Sequence, residues 1–246
     1  MGLLKRMSVE KTREYSFGTP RQLAAELLGT LLLLAAVVGS GIMAERLAQG
    51  NMALALLANS VATGAALVAL ILAFAPVSGA HFNPAVTVVQ TALGFLSIRR
   101  AVGYVVAQSV GAFLGVFVAP LMFELPLVSA SQHQRHGAGQ LAGEFVATLG
   151  LLLVIAGCQR AGAQTAAFAV GAFITAGYWF TSSTSFANPA VTLARSVTDT
   201  FAGIRLVDVP GFLLAQFLAA GVGIVLIGWL RKGERVDLPE RAGVRT

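Results

Sequence analysis

Six stretches of this 246-residue chain contain no Asp, Glu, Lys or Arg: 27–44, 47–98, 101–123, 145–159, 161–194 and 210–230. A membrane-crossing helix needs about 20 consecutive, mostly apolar residues. A soluble domain of this size needs far more charge to cover its surface. Here 56 % of residues are hydrophobic and only 11 % charged, so the uncharged runs read as membrane segments. The first run has basic residues upstream, as a secretory signal does, but it is too long for such a signal and further spans follow.

The net charge of +6 could suggest nucleic-acid binding, but the 17 basic residues do not form a face. Lys5, Arg6, Lys11, Arg13 and Arg21 precede the first span, Arg99 and Arg100 precede the third, and Arg160 follows the fourth. Arg231, Lys232, Arg235, Arg241 and Arg245 follow the last, leaving Arg46, Arg135, Arg195 and Arg205 for the other side. By the positive-inside rule both termini are cytoplasmic, which requires an even number of full spans. Six satisfy it, near residues 21–44, 51–75, 99–123, 139–159, 164–182 and 208–230. The polar tails 1–18 and 233–246 are expected to carry little order.

Two apolar stretches remain. After the second span about twenty uncharged residues are broken by Pro76, Gly79 and Pro84, too few for another crossing and its return. A re-entrant segment fits: a loop dipping to the midplane, then a half-helix over about 84–93. Ten residues at about 1.5 Å each cover half of a ~30 Å hydrocarbon layer. The same arrangement recurs after the fifth span, with a loop at 182–187 and a half-helix over about 189–198. Irregular backbone at that depth is tolerated only inside protein or beside a water-filled cavity.

An internal repeat joins these pieces. Leu23-Ala24-Ala25-Glu26 with Thr30 matches Leu141-Ala142-Gly143-Glu144 with Thr148, and Ala107-Gln108 matches Ala215-Gln216. Between them, Asn83-Pro84-Ala85-Val86-Thr87 matches Asn188-Pro189-Ala190-Val191-Thr192. The chain is thus a single membrane domain over 1–246 with repeats at about 21–123 and 139–232. Each repeat holds three full spans, so the second copy enters from the opposite side and the half-helices meet N-terminus to N-terminus.

Asn is a preferred N-cap and Pro a preferred first helical residue, so each motif starts a helix. If the Asn oxygen caps its own helix, its NH2 is left to point elsewhere. Two such groups make a donor pair at mid-bilayer, and each helix start adds about half a positive charge that repels cations. A passing oxygen accepting from both Asn groups must turn its own hydrogens away, which interrupts proton hopping.

The run Ser78-Gly79-Ala80-His81-Phe82-Asn83-Pro84-Ala85-Val86-Thr87, with Asn188-Pro189-Ala190, resembles the signatures of the major intrinsic protein family, the aquaporins and glycerol facilitators. The resemblance covers about residues 21–232. It implies an all-α membrane protein of six tilted helices and two re-entrant half-helices, packed as a homotetramer with one pore per subunit. It also implies that Asn83 and Asn188 are central donors, that His81 lines the cytoplasmic half of the pore, and that Glu26 and Glu144 brace the re-entrant loops. An ionisable group in an apolar span is expensive and usually faces the interior.

Members of the family have a narrower constriction of four side chains outside the Asn pair. Counted from the motifs, these fall on Thr63, Ala176, Ser185 and Val191. Most members carry Arg where this chain has Val191. Arg195 lies one helical turn further, which by spacing sets it too deep to replace the missing guanidinium. Four small residues would give a wide, weakly polar constriction passing glycerol-like polyols, urea, neutral metalloid acids and water. The stretch 185–205 looks most like that of bacterial members associated with arsenic compounds, so a bacterial inner membrane is the expected location.

Gly111 and Gly115 on the third span read as a helix-packing pair. Cys158, the one cysteine, permits no internal disulfide and reads as packing rather than a reactive thiol. His133 and His136 have no neighbouring carboxylate and read as a solvated loop. No metal, cofactor or nucleic acid is called for; the partners are water, small neutral solutes and the bilayer. A water-selective channel is the alternative. A secondary transporter would share the discontinuous helices but needs coupling-ion sites, and an intramembrane enzyme needs a nucleophile with its base.

Overall fold

The computed structural model describes residues 17–232. Apart from residues 17 and 18, the expected polar tails lie outside the described residues, as do their basic side chains. Eight α-helices are described: α1 (Thr19–Leu47), α2 (Met52–Ser78), α3 (Pro84–Ala92), α4 (Ile98–Met122), α5 (Ala138–Cys158), α6 (Gly162–Phe180), α7 (Pro189–Ala194) and α8 (Val209–Leu230). Short 3-10 turns follow α7 at Arg195–Val197 and precede α8 at Leu206–Asp208. No strand occurs among the described residues.

Five of these helices are long and apolar enough to cross a membrane. Helix α6, at 19 residues, lies outside that measure. The outward faces explain the composition. On α4, Val102, Val106, Val110 and Leu114 recur every four residues and are all exposed, and on α8 Leu214, Leu218, Val222 and Val225 are exposed too. Meanwhile Glu26, Glu144, Gln108 and Gln216 are fully buried. Helices with apolar outer faces and polar groups inside suit a lipid surround and not water. The chain is a multi-pass membrane protein.

Pro76 does not end α2, contrary to the expected break. A proline near the last turn removes only one hydrogen bond, and the helix continues to Ser78 before Gly79, at φ 89°, terminates it in the left-handed region. The short helices begin where the Asn-Pro pairs do, with Asn83 and Asn188 as N-caps and Pro84 and Pro189 as first helical residues.

Packing follows one pattern twice. Helix α1 lies against α2 and α4, and α5 lies against α6 and α8. Helix α3 touches α4 and α8, and α7 touches α8 and α4. Helices α2 and α6 pack together, as do α3 and α7. Exchanging α1–α4 for α5–α8 leaves this pattern unchanged. The α1–α4 contact depends on Gly111 and Gly115, where an added Cβ would collide with the carbonyl oxygens of Leu27 and Leu31. The two backbones touch there, as small-residue helix pairs do.

Candidate functional site

Each short helix is preceded by a loop that the backbone alone does not favour. Before Asn83, Gly79, Ala80 and Phe82 have φ of 89°, 51° and 49°; before Asn188, Thr184, Ser185 and Ala187 have φ of 61°, 53° and 48°. The positions correspond one for one. Left-handed backbone costs a non-glycine residue about 1–2 kcal/mol, so something must hold these loops.

Two buried carboxylates do. Glu26 accepts from the backbone N–H of His81 at 3.0 Å and of Phe82 at 2.7 Å, from the Ser78 hydroxyl at 2.6 Å and from Gln108 Nε2 at 2.8 Å. Glu144 accepts from the N–H of Phe186 at 2.8 Å and of Ala187 at 2.9 Å, and from Gln216 Nε2 at 2.6 Å. Gln108 and Gln216 donate also to Thr87 and Thr192, one turn into the helix that follows each loop. These glutamines were visible as a repeat match, but their bracing role was not.

The helix starts meet head to head. Asn83 Oδ1 accepts from its own helix at Ala85, 2.9 Å, and Asn188 Oδ1 from Ala190 at 3.1 Å and Val191 at 3.3 Å. The amides are not wholly free, as the sequence reading had them. Asn83 Nδ2 donates to the Ala187 carbonyl at 2.7 Å and Asn188 Nδ2 to the Phe82 carbonyl at 2.8 Å, so each retains one N–H.

Both Asn residues line a cavity of about 610 Å³. Along α6 its lining runs from Gly162 to Tyr178, about 24 Å of helix rise. His81 lines it, with Nδ1 3.1 Å from the Thr87 hydroxyl and its ring edge-on to Tyr104. Thr63, Ser185 and Val191 line it as well. The Ser185 hydroxyl oxygen is buried without a partner and packs at Gly177, where a Cβ would stand 2.7 Å from it.

Ala176 does not join them; it is exposed on the outer face of α6. Ile174 and Tyr178, four residues apart, share the inward face and line the cavity. Ala176 is two residues from each, about 200° around the helix. Counting back from Asn188 therefore lands on the outer face, while Tyr178 on the inner face has its hydroxyl 3.2 Å from that of Thr63.

Arg195 also departs from expectation. Side chains on a helix lean toward its N-terminus, so the guanidinium returns to the cavity from a turn away. It lies 3.4 Å from the centroid of the Phe186 ring, and its Nε donates to the Ala202 carbonyl. A second cavity of about 260 Å³ lies beside the first, and Tyr178 and Arg195 line both. Arg135, from the loop before α5, lies over the same Phe186 ring at 4.8 Å. Its nitrogens donate to the carbonyls of Gly203, Ser183 and Phe201 and to the Thr184 hydroxyl, tying three loops together. Burial lowers this guanidinium to about 10, with Glu144 opposing the shift, so it stays charged at neutral pH.

At the far end of the main cavity, Arg231 bonds Gln159, which donates to Gln90 at 3.1 Å. Cys158 lines this end rather than simply packing. His136 Nδ1 lies 3.2 Å from Arg205, and no group of three His, Cys, Asp or Glu able to hold a metal occurs among the described residues.

Comparison with known proteins agrees with this architecture. The model of the family "Major intrinsic protein" matches residues 12–165. Aquaglyceroporin AqpS of Rhizobium meliloti (strain 1021) is 50 % identical over 219 residues, 89 % of this chain and 94 % of that protein. Aquaporin NIP1-4 of Oryza sativa subsp. japonica is 33 % identical over 231 residues, covering 90 % and 81 %. Among solved structures, the aquaglyceroporin from Plasmodium falciparum superposes with a TM-score of 0.64 at 20 % identity, over 87 % of this chain and 96 % of that one, a likeness of fold. By family match and by relatives spanning nearly its whole length, this chain belongs to the major intrinsic protein family of non-enzymatic channels.

Proposed function

We propose that the protein is a passive channel for small uncharged molecules of the polyol, urea and neutral metalloid-acid class as well as water, built from six spans and two re-entrant half-helices. The observation that carries this reading is a 610 Å³ cavity passing both Asn83 and Asn188 between helices with apolar outer faces. Their remaining N–H groups donate to a passing oxygen, while Leu67, Ile71, Val191 and Ile174 offer an apolar wall. A solute with hydroxyls along one side of a short carbon skeleton matches such a lining. Thr63, Tyr178, Ser185 and Val191 form the constriction, and His81 lines the half toward the termini. The 50 % identical relative named an aquaglyceroporin supports the solute class. Basic residues flanking the spans favour cytoplasmic termini, which sets the 123–137 loop and Arg195 on the outer side.

One observation favours a narrower, water-selective channel: an aromatic ring, Tyr178, stands where a methyl group was expected. Light scattering from proteoliposomes facing gradients of glycerol, urea or an impermeant osmolyte decides between the two, with arsenite uptake followed separately. Solute flux with low activation energy and no dependence on ion gradients is the expected result. Water flux without solute flux would establish the water-selective reading instead.

A further inference from the structure

Arg195 is 2 % exposed, yet of its side-chain nitrogens only Nε has a hydrogen-bond partner among the described residues. Its terminal nitrogens are not among the fully buried polar atoms lacking partners. They therefore reach open space, and the residue lines both cavities. With Nε engaged and the ring of Phe186 against one face, the free part of the guanidinium is its end-on edge, two N–H groups spaced to hold a carboxylate in bidentate fashion.

The smaller cavity supplies the rest of a site. Arg135 and His133 line it together with Arg195, and no Asp or Glu does. Arg135 commits four of its five guanidinium N–H groups to loop oxygens, so its main contribution is charge. Met52, Leu56 and Phe201 form an apolar wall. At about 260 Å³ the space lies below the range of drug-sized pockets. A short carbon tail fits that wall.

We propose that this cavity binds short-chain monocarboxylates, with the carboxylate on the free edge of Arg195 and the tail against Met52, Leu56 and Phe201, and that a bound carboxylate obstructs the passage of neutral solutes. The binding claim stands on the cavity alone; the obstruction claim rests on the channel reading.

The test has two arms. Sodium acetate and propionate are titrated calorimetrically into the purified, detergent-solubilised protein at neutral pH and fixed ionic strength, against chloride and phosphate. Saturable carboxylate binding is expected, at least about tenfold tighter than chloride, because two carboxylate oxygens match the planar fork and a spherical ion does not. Arg195→Gln should weaken it at least about tenfold, and Arg195→Lys, which keeps the charge but not the fork, should weaken it less. Arg46→Gln, a charge removed outside both cavities, should leave it unchanged. Binding no stronger than chloride overturns the site whether or not the variants fold, and binding unaltered in a folded Arg195→Gln variant overturns it too.

In the second arm, glycerol flux into proteoliposomes is followed with rising acetate, and half-inhibition is expected at the concentration that half-saturates binding. Full flux at saturating carboxylate overturns the obstruction. Absence of both water and neutral-solute flux without carboxylate overturns the channel reading instead, and leaves the first arm to decide the site.

Discussion

The phenol of Tyr178 stands 3.2 Å from the hydroxyl of Thr63, and this pair bridges α6 and α2 where the main cavity meets the smaller one. If it sets the width of the proposed constriction, Tyr178→Ala should widen it for bulky solutes first. Glycerol permeability relative to water is expected to rise roughly tenfold, the ratio produced by a barrier change of about 1.4 kcal/mol. Stopped-flow light scattering measures both in one preparation. Equal changes for the two permeants would remove Tyr178 from the constriction.

Val191 lines the cavity one turn before Arg195. Substituting Arg there adds bulk and a second positive charge in a site already cationic. Glycerol and urea flux should fall at least about tenfold while water flux falls less. A uniform loss across permeants, measured in the same assay, would contradict the placement of Val191.

Glu26 gathers four donors and Glu144 three. Alanine at either position leaves buried N–H groups without acceptors, each costing about 1–3 kcal/mol. Both variants should melt well below the wild type in detergent, by an amount consistent with at least about 3 kcal/mol. Gln at the same positions keeps one acceptor oxygen and should lose less. An alanine variant with wild-type thermal stability would show that the loops hold their left-handed backbone without the carboxylates.

Gly111 faces the backbone of α1 with no room for a Cβ. Leucine there must force α1 and α4 apart, at a cost of about 3 kcal/mol, the upper range for overpacking. Thermal unfolding of Gly111→Leu beside Gly157→Leu checks this, because Gly157 has open space around it and should tolerate the change. Comparable losses in both would show that the α1–α4 contact is not what resists leucine, since helix propensity alone favours Leu over Gly.

The sequence disclosed most of the architecture because its signals are local. Uncharged runs mark the long helices to within a few residues, and Asn-Pro pairs mark both short ones, since capping and the fixed φ of proline act within one turn. The site was less legible because its geometry is not local. Counting from Asn188 to Ala176 crosses the loop with left-handed Thr184, Ser185 and Ala187, and nothing in the letters gives the rotation of α6 beyond it. Arg195 was misplaced for a related reason: spacing gives the position of a Cα, whereas a long side chain acts several ångströms away. Arg135 was one of only four basic residues on its side, a signal that marked topology and concealed a tether for three loops.

The crossed amide bonds of Asn83 and Asn188 span 104 and 106 residues of chain. When the first repeat leaves the ribosome, the carbonyl of Phe82 has no partner and will have none until α7 has been synthesised. The clasp can therefore close only once residue 188 has been made, with α8 still to follow in the chain. A chain halted before residue 188 carries half of a two-part lock.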